Sequence, residues 1–110
     1  MAGMLSSTIG RGNILYDGMI QVTITPSLVG ASTAAEQTFT VPGLQLNDFL
    51  DINCNAAQTA GIGIGNVRVS AVNTMAVEFA NSTAGGLTPT SGVYNINVIR
   101  AEGPIPSTAA

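Results

Sequence analysis

The chain has 110 residues, of which 8% are charged: three Arg, six Asp or Glu, no Lys and no His, for a net charge of −3. An ordinary soluble domain is about one-quarter charged, and a domain of this size leaves roughly a third of its unfolded-state surface exposed, so much of this exterior must be uncharged Ser, Thr, Asn, Ala and Gly. The lack of His excludes Ser-His-Asp and Cys-His catalysis within one chain, one Cys excludes an intrachain disulfide and a zinc site, and three scattered Arg argue against nucleic acid.

Residues 1–17 read as an N-terminal arm. Met4, Leu5, Ile9, Ile14, Leu15 and Tyr16 are apolar but follow neither a helical nor an alternating period, and Gly3, Gly10, Gly12 and Gly18 interrupt them. A solvated arm is more polar than this. The arm therefore either docks on a partner or packs on its own domain as a first edge strand, and its six apolar residues are the candidate partner-binding set. It lacks a basic n-region and a long apolar run, so no signal peptide is expected, and no segment reaches the apolar length of a membrane span. Folding in a cytoplasm follows as the expectation.

The domain proper spans 18–101. Ile20, Val22 and Ile24 alternate with Gln21, Thr23 and Thr25, the pattern of a half-buried strand, which Pro26 ends. Glu36–Val41 is a second strand with Gln37, Phe39 and Val41 on one side, closed by the turn dipeptide Pro42-Gly43. Phe49–Asn55 is a third, with Leu50, Ile52 and Cys54 opposed to Asp51, Asn53 and Asn55. Residues 56–65 lack a period and read as a loop. Asn66–Val72 and Met75–Ala80 form a hairpin. Face matching predicts a three-residue loop, Val72 to Thr74, which sets Val69 against Val77, Val67 against Phe79, and Arg68 against Glu78 as an exposed pair. Gly92–Arg100 is the last strand, with Tyr94, Ile96 and Val98 on one side, and residues 102–110 form a tail.

No window shows a sustained 3.6-residue apolar stripe. The pattern predicts an all-β domain: a single antiparallel β-sandwich of six strands, jelly-roll or immunoglobulin-like, with an extended N-terminal arm.

Few residues suggest chemistry. Cys54 shares a side with Leu50 and Ile52 and reads as a small core residue. Asp48 and Asp51 point to opposite faces of a strand and do not form an acid–base pair, and Asp48 reads as a cap or turn residue. Gly61-Ile62-Gly63-Ile64-Gly65-Asn66 lacks the third glycine of the dinucleotide fingerprint and any Lys-Ser or Lys-Thr, and reads as a tight approach where only Gly fits. Asn81-Ser82-Thr83 matches a glycosylation sequon that, without a secretory signal, is a coincidence. Tyr16 and Tyr94 are candidates for interface or core-edge positions. No catalytic residue, cofactor or metal is expected.

The pieces Ala35-Glu36-Gln37-Thr38-Phe39-Thr40-Val41-Pro42-Gly43-Leu44, Asp48, Ala60-Gly61-Ile62-Gly63-Ile64, Val67-Arg68-Val69-Ser70-Ala71, Asn73-Thr74, Val77-Glu78-Phe79-Ala80-Asn81, Thr88-Pro89-Thr90 and Tyr94 to Arg100 carry a resemblance. Residues 35–100 resemble a family of small β-rich virion proteins of tailed bacteriophages, similar to capsid cement or decoration subunits. The resemblance implies a non-enzymatic structural protein on the capsid exterior. Its implied partners are the major capsid protein and copies of itself, as a homotrimer, with no nucleic acid or membrane partner. The other class compatible with the residues is a receptor- or glycan-binding module of a tail fibre or spike, which needs an exposed cluster of Tyr, Asn and Asp.

Overall fold

The computed structural model describes residues 12–109. Among them are six strands and no helix: β1 (Ile14–Ile24), β2 (Thr33–Thr40), β3 (Phe49–Cys54), β4 (Ile62–Ala71), β5 (Thr74–Asn81) and β6 (Gly92–Ala101). They form two three-stranded antiparallel sheets, β1-β6-β3 and β2-β5-β4, packed face to face as a sandwich. First strand pairs with last, and second with fifth. The two remaining strands, β3 and β4, do not pair with each other but join different sheets, beside β6 and β5 respectively.

Alternation along each strand builds the core. Met75, Val77 and Phe79 of β5 and Tyr94, Ile96 and Val98 of β6 are buried, because these are the central strands of the two sheets. Leu50, Ile62, Val69 and Ile24 close over them from the outer strands, and Val29, Val41 and Leu44 plug the ends. Phe39 meets Phe79 edge to face at 6.5 Å between centroids. Each such side chain contributes about 1.5–3 kcal/mol on burial.

Several boundaries differ from the sequence reading. Residues 14–17 are not arm but the start of β1. A register irregularity between Ile14 and Tyr16 breaks the alternation there and conceals the strand. β4 begins at Ile62, inside the expected loop. Its Ile-Gly-Ile alternation is followed by a bulge at Gly65-Asn66, where the Glu78 carboxylate accepts the Asn66 N–H at 3.2 Å. The hairpin register is also corrected. Val67 faces Val77, Val69 faces Met75 and Arg68 faces Ala76, with a two-residue turn at Val72-Asn73 and a second irregularity between Val69 and Ala71. Asn73 adopts φ 61°, a left-handed turn position that Asn tolerates.

Arg68 accordingly pairs not with Glu78 but with Glu36 on β2, donating to its two oxygens at 2.7 and 2.9 Å. The small Ala76 on the intervening strand lies between their positions in the sheet. Glu36 and Glu78 are directly opposed, so Arg68 also offsets a like-charge contact.

Two side-chain knots fix the connections. Tyr94 is fully buried; its hydroxyl donates to the Thr90 carbonyl at 2.7 Å and accepts from Gln58 Nε2 at 3.0 Å. Burial holds its pKa above the ordinary phenol value. It is a core residue rather than an interface one. Asn81, also buried, donates to the carbonyls of Val29 and Gly85 and accepts from the N–H and hydroxyl of Thr83. Both hydrogens of its amide are engaged in the folded domain.

Candidate functional site

The first residues of β1, the 41–49 turn, the end of β6 and the tail converge at one end of the sandwich. Leu15 (64% exposed), Leu46 (56%), Phe49 (62%) and Ile105 (63%) make that end apolar, and Tyr16 stands beside them. The irregularity between Ile14 and Tyr16 separates two grooves. Ile14 lines one with Phe49, Ile99 and Ile105, enclosing about 120 Å³. Leu15 lines the other with Leu46, Pro104 and the Asp48–Arg100 pair. The structure thus brings Ile14, Leu15 and Tyr16 together; Met4, Leu5 and Ile9 lie outside the described residues. Leu46, Phe49 and Ile105 were not anticipated. Phe49 was findable, because the parity that turns Leu50 inward turns Phe49 outward.

Beneath this end sits the one buried charge pair among the described residues. Arg100 Nε donates to Asp48 Oδ1 at 2.8 Å and Nη2 to Oδ2 at 2.7 Å, a bidentate contact, and Nη2 also donates to the Gly43 carbonyl. The Asp48 side chain is 1% exposed. It also accepts the Gln45 N–H at 2.9 Å, which is the turn role expected of it. The Arg100 hydrogen bonds hold the Asp48 pKa below the usual carboxylate value, against the opposing effect of burial. The guanidinium also lies 5.9 Å from the centroid of the Tyr16 ring. The pair is internally neutral, and both carboxylate oxygens are hydrogen-bonded, so the apolar surface above it carries no net charge from this source.

A second surface covers the outer face of the β1-β6-β3 sheet. Its successive rows are Asp17–Ile99–Phe49, Met19–Asn97–Asp51 and Gln21–Asn95–Asn53. Gln21 Nε2 donates to Asn95 Oδ1 at 2.8 Å, and Asn95 Nδ2 donates to Asn53 Oδ1 at 3.0 Å and Asn55 Oδ1 at 3.4 Å. Each amide orients the next, leaving a patch of Gln and Asn side chains whose donors and acceptors are held in place, with the carboxylates of Asp17 and Asp51 on the neighbouring rows.

The remaining candidates are structural. Cys54 is a half-buried free thiol packed against the core. Gly61 has φ +91°, and a Cβ there would meet Thr83 and Leu87, so the tight approach is real. At the bulge that follows, the Glu78 carboxylate lies against Gly65, where a Cβ would collide with it, and accepts the Asn66 N–H. Among the described residues, no three His, Cys, Asp or Glu side chains come together as a metal site. No helix there is long and apolar enough to cross a membrane.

No protein-family model matches this chain, and no curated protein or solved structure matches it either.

Proposed function

We propose that the chain is a non-enzymatic capsid cement (decoration) protein of a tailed bacteriophage, bound on the virion exterior to the major capsid protein shell, where it stabilises junctions between capsomers. The observation that carries this reading is the cluster of exposed apolar side chains, Leu15, Leu46, Phe49 and Ile105, at one end of the sandwich. Burying such side chains against a partner gains about 1.5–3 kcal/mol each, while a chain with only 8% charged residues keeps the desolvation cost low. Many copies on one particle add avidity. The apolar residues Met4, Leu5 and Ile9 extend the same chemistry in sequence. Two proteins test it: one lacking residues 1–11, and one carrying Leu15→Ser with Phe49→Ser. Both should lose co-sedimentation with empty shells and lower the temperature at which particles release DNA. Undiminished binding by both would discard the reading.

A second reading, a receptor- or glycan-binding module of a tail fibre or spike, is favoured by the amide face. The ordered side chains of Gln21, Asn95 and Asn53 offer paired donors and acceptors to sugar hydroxyls, and Phe49 stands at the end of the same face as a stacking platform. Binding of the purified protein to host cells, abolished by Asn95→Ala while shell binding persists, would favour it over the first.

A further inference from the structure

Four strands lie at sheet edges, and three of them are obstructed. β3 is six residues long, and the Asp51 carboxylate already accepts the Ile52 N–H at 2.9 Å. β4 is interrupted twice in register. β2 carries Glu36 with Arg68 bound to it. Short length, bulges and charge are the usual means of blocking edge-to-edge pairing.

β1 has none of these from Tyr16 onward. It is 11 residues long, contains no Lys, Arg or Pro, keeps a regular register from Tyr16 to Ile24, and carries one charge, Asp17. Which of its backbone groups are free follows from the ladder. The Asn55 N–H donates to the Val93 carbonyl, so odd-numbered β6 residues bond toward β3 and even-numbered ones toward β1; the Glu102 N–H donating to Asn13 obeys the same alternation. Through the β1–β6 register, Gly18, Ile20 and Val22 then bond to β6, while the N–H and C=O groups of Asp17, Met19, Gln21 and Thr23 point out of the sheet. The core is incompletely closed along this edge as well. Ile20 and Val22 are only partly buried, and a groove lined by Tyr16, Ile20, Leu44 and Val98 opens there.

We propose that a second copy of this chain pairs at this edge, β1 to β1, antiparallel about a two-fold axis at Ile20, which joins the two β1-β6-β3 sheets into one continuous sheet. This register alone engages all four outward residues of each copy: Asp17 opposes Thr23 of the second copy, and Met19 opposes its Gln21. Moving the axis to Met19 leaves Thr23 facing the irregular end of the strand. Moving it to Asp17 sets the two carboxylates against each other. With the axis at Ile20 the two Asp17 residues are six positions apart, roughly 20 Å, beyond the screening length of about 8 Å at physiological salt. The contact is isologous and closes at two copies, unlike a trimer. It requires no capsid and stands independently of the function proposed above.

The test is sedimentation velocity of the full-length chain over a range of concentrations, alone and as three variants. The parent should be a dimer. Met19→Pro removes an N–H that the intramolecular ladder does not use, so it should yield a monomer with an unchanged far-UV circular dichroism spectrum. Thr23→Lys places a cation opposite Asp17 of the second copy and should tighten the dimer, whereas Thr23→Asp should weaken it. With two symmetric contacts, the dissociation constant should move roughly fivefold each way. If Met19→Pro unfolds, the opposed responses of the two Thr23 variants decide the matter alone. A monomeric parent, a trimer, or a dimer in which Thr23→Lys and Thr23→Asp behave alike would overturn the proposal.

Discussion

Replacing Asp48 with Ala should destabilise the fold by about 3 kcal/mol, the lower end of the range for breaking a buried ion pair. The Asp48 side chain is 1% exposed and accepts two bonds from Arg100 and one from the Gln45 N–H. Its loss strands a guanidinium that is 23% exposed and keeps its bond to the Gly43 carbonyl, so water and that carbonyl recover part of the cost. Arg100→Met should cost at least as much at neutral pH, because it leaves a carboxylate with almost no solvent and only the Gln45 N–H. The double variant should lose less than the sum of the two, with a coupling of about 2 kcal/mol. Thermal unfolding followed by far-UV circular dichroism reads this as a fall of about 12 °C for Asp48→Ala, at about 4 °C per kcal/mol for a domain of this size. The pH dependence has a definite sign. The folded pKa of Asp48 is lowered, so the unfolded chain takes up this proton first. The stabilisation is complete above the ordinary carboxylate value of about 4 and is lost as pH falls through the folded value. The gap between parent and Asp48→Ala should therefore be flat from neutral pH to about pH 5 and shrink in stronger acid. Additive single variants, with a coupling under about 0.5 kcal/mol, would refute the account of this pair.

Two further outcomes concern the loop knots. Tyr94→Phe leaves the Thr90 carbonyl and the Gln58 amide without their shared partner, and urea titration should show a loss of about 1–2 kcal/mol with an unchanged m-value. Asn81→Asp replaces the donor that faces the carbonyls of Val29 and Gly85 with an acceptor. It should cost more than 2 kcal/mol and speed hydrogen exchange at Val29 and Leu87, whose backbones bond to each other.

The alternating signal identified most strands because each sheet has one buried face. Ile20-Val22-Ile24 and Tyr94-Ile96-Val98 could be read directly, and both face the core as expected. Irregularity hid the rest. The break between Ile14 and Tyr16 disguised the first residues of β1, and small side chains left Thr33 to Ala35 without a hydrophobic signal. Face matching in the hairpin has two solutions: a three-residue loop, or a two-residue turn with an irregularity before it. The second is realised, and nothing in the residues around Ser70 announces it. Arg68–Glu36 and Arg100–Asp48 join positions far apart in sequence, and such pairs become predictable only once strand order is known. The apolar end was half legible. Ile14, Leu15 and Tyr16 stood out by composition, whereas Leu46 and Ile105 join them only through the winding of the sandwich.

The nested pairing has a kinetic consequence. β6 is the central strand of its sheet and the last of the six strands among the described residues, and it bonds both β1 and β3. Until residue 101 has left the ribosome, neither of those strands has a neighbour in its own sheet. The β1-β6-β3 sheet therefore forms only once β6 has emerged, through contacts between strands far apart in sequence, and topologies of that kind are slow, taking milliseconds to seconds. During that interval β1 is bare along both of its sides, which makes nascent chains on crowded polysomes the stage at which wrong pairings between molecules compete most strongly with the right one.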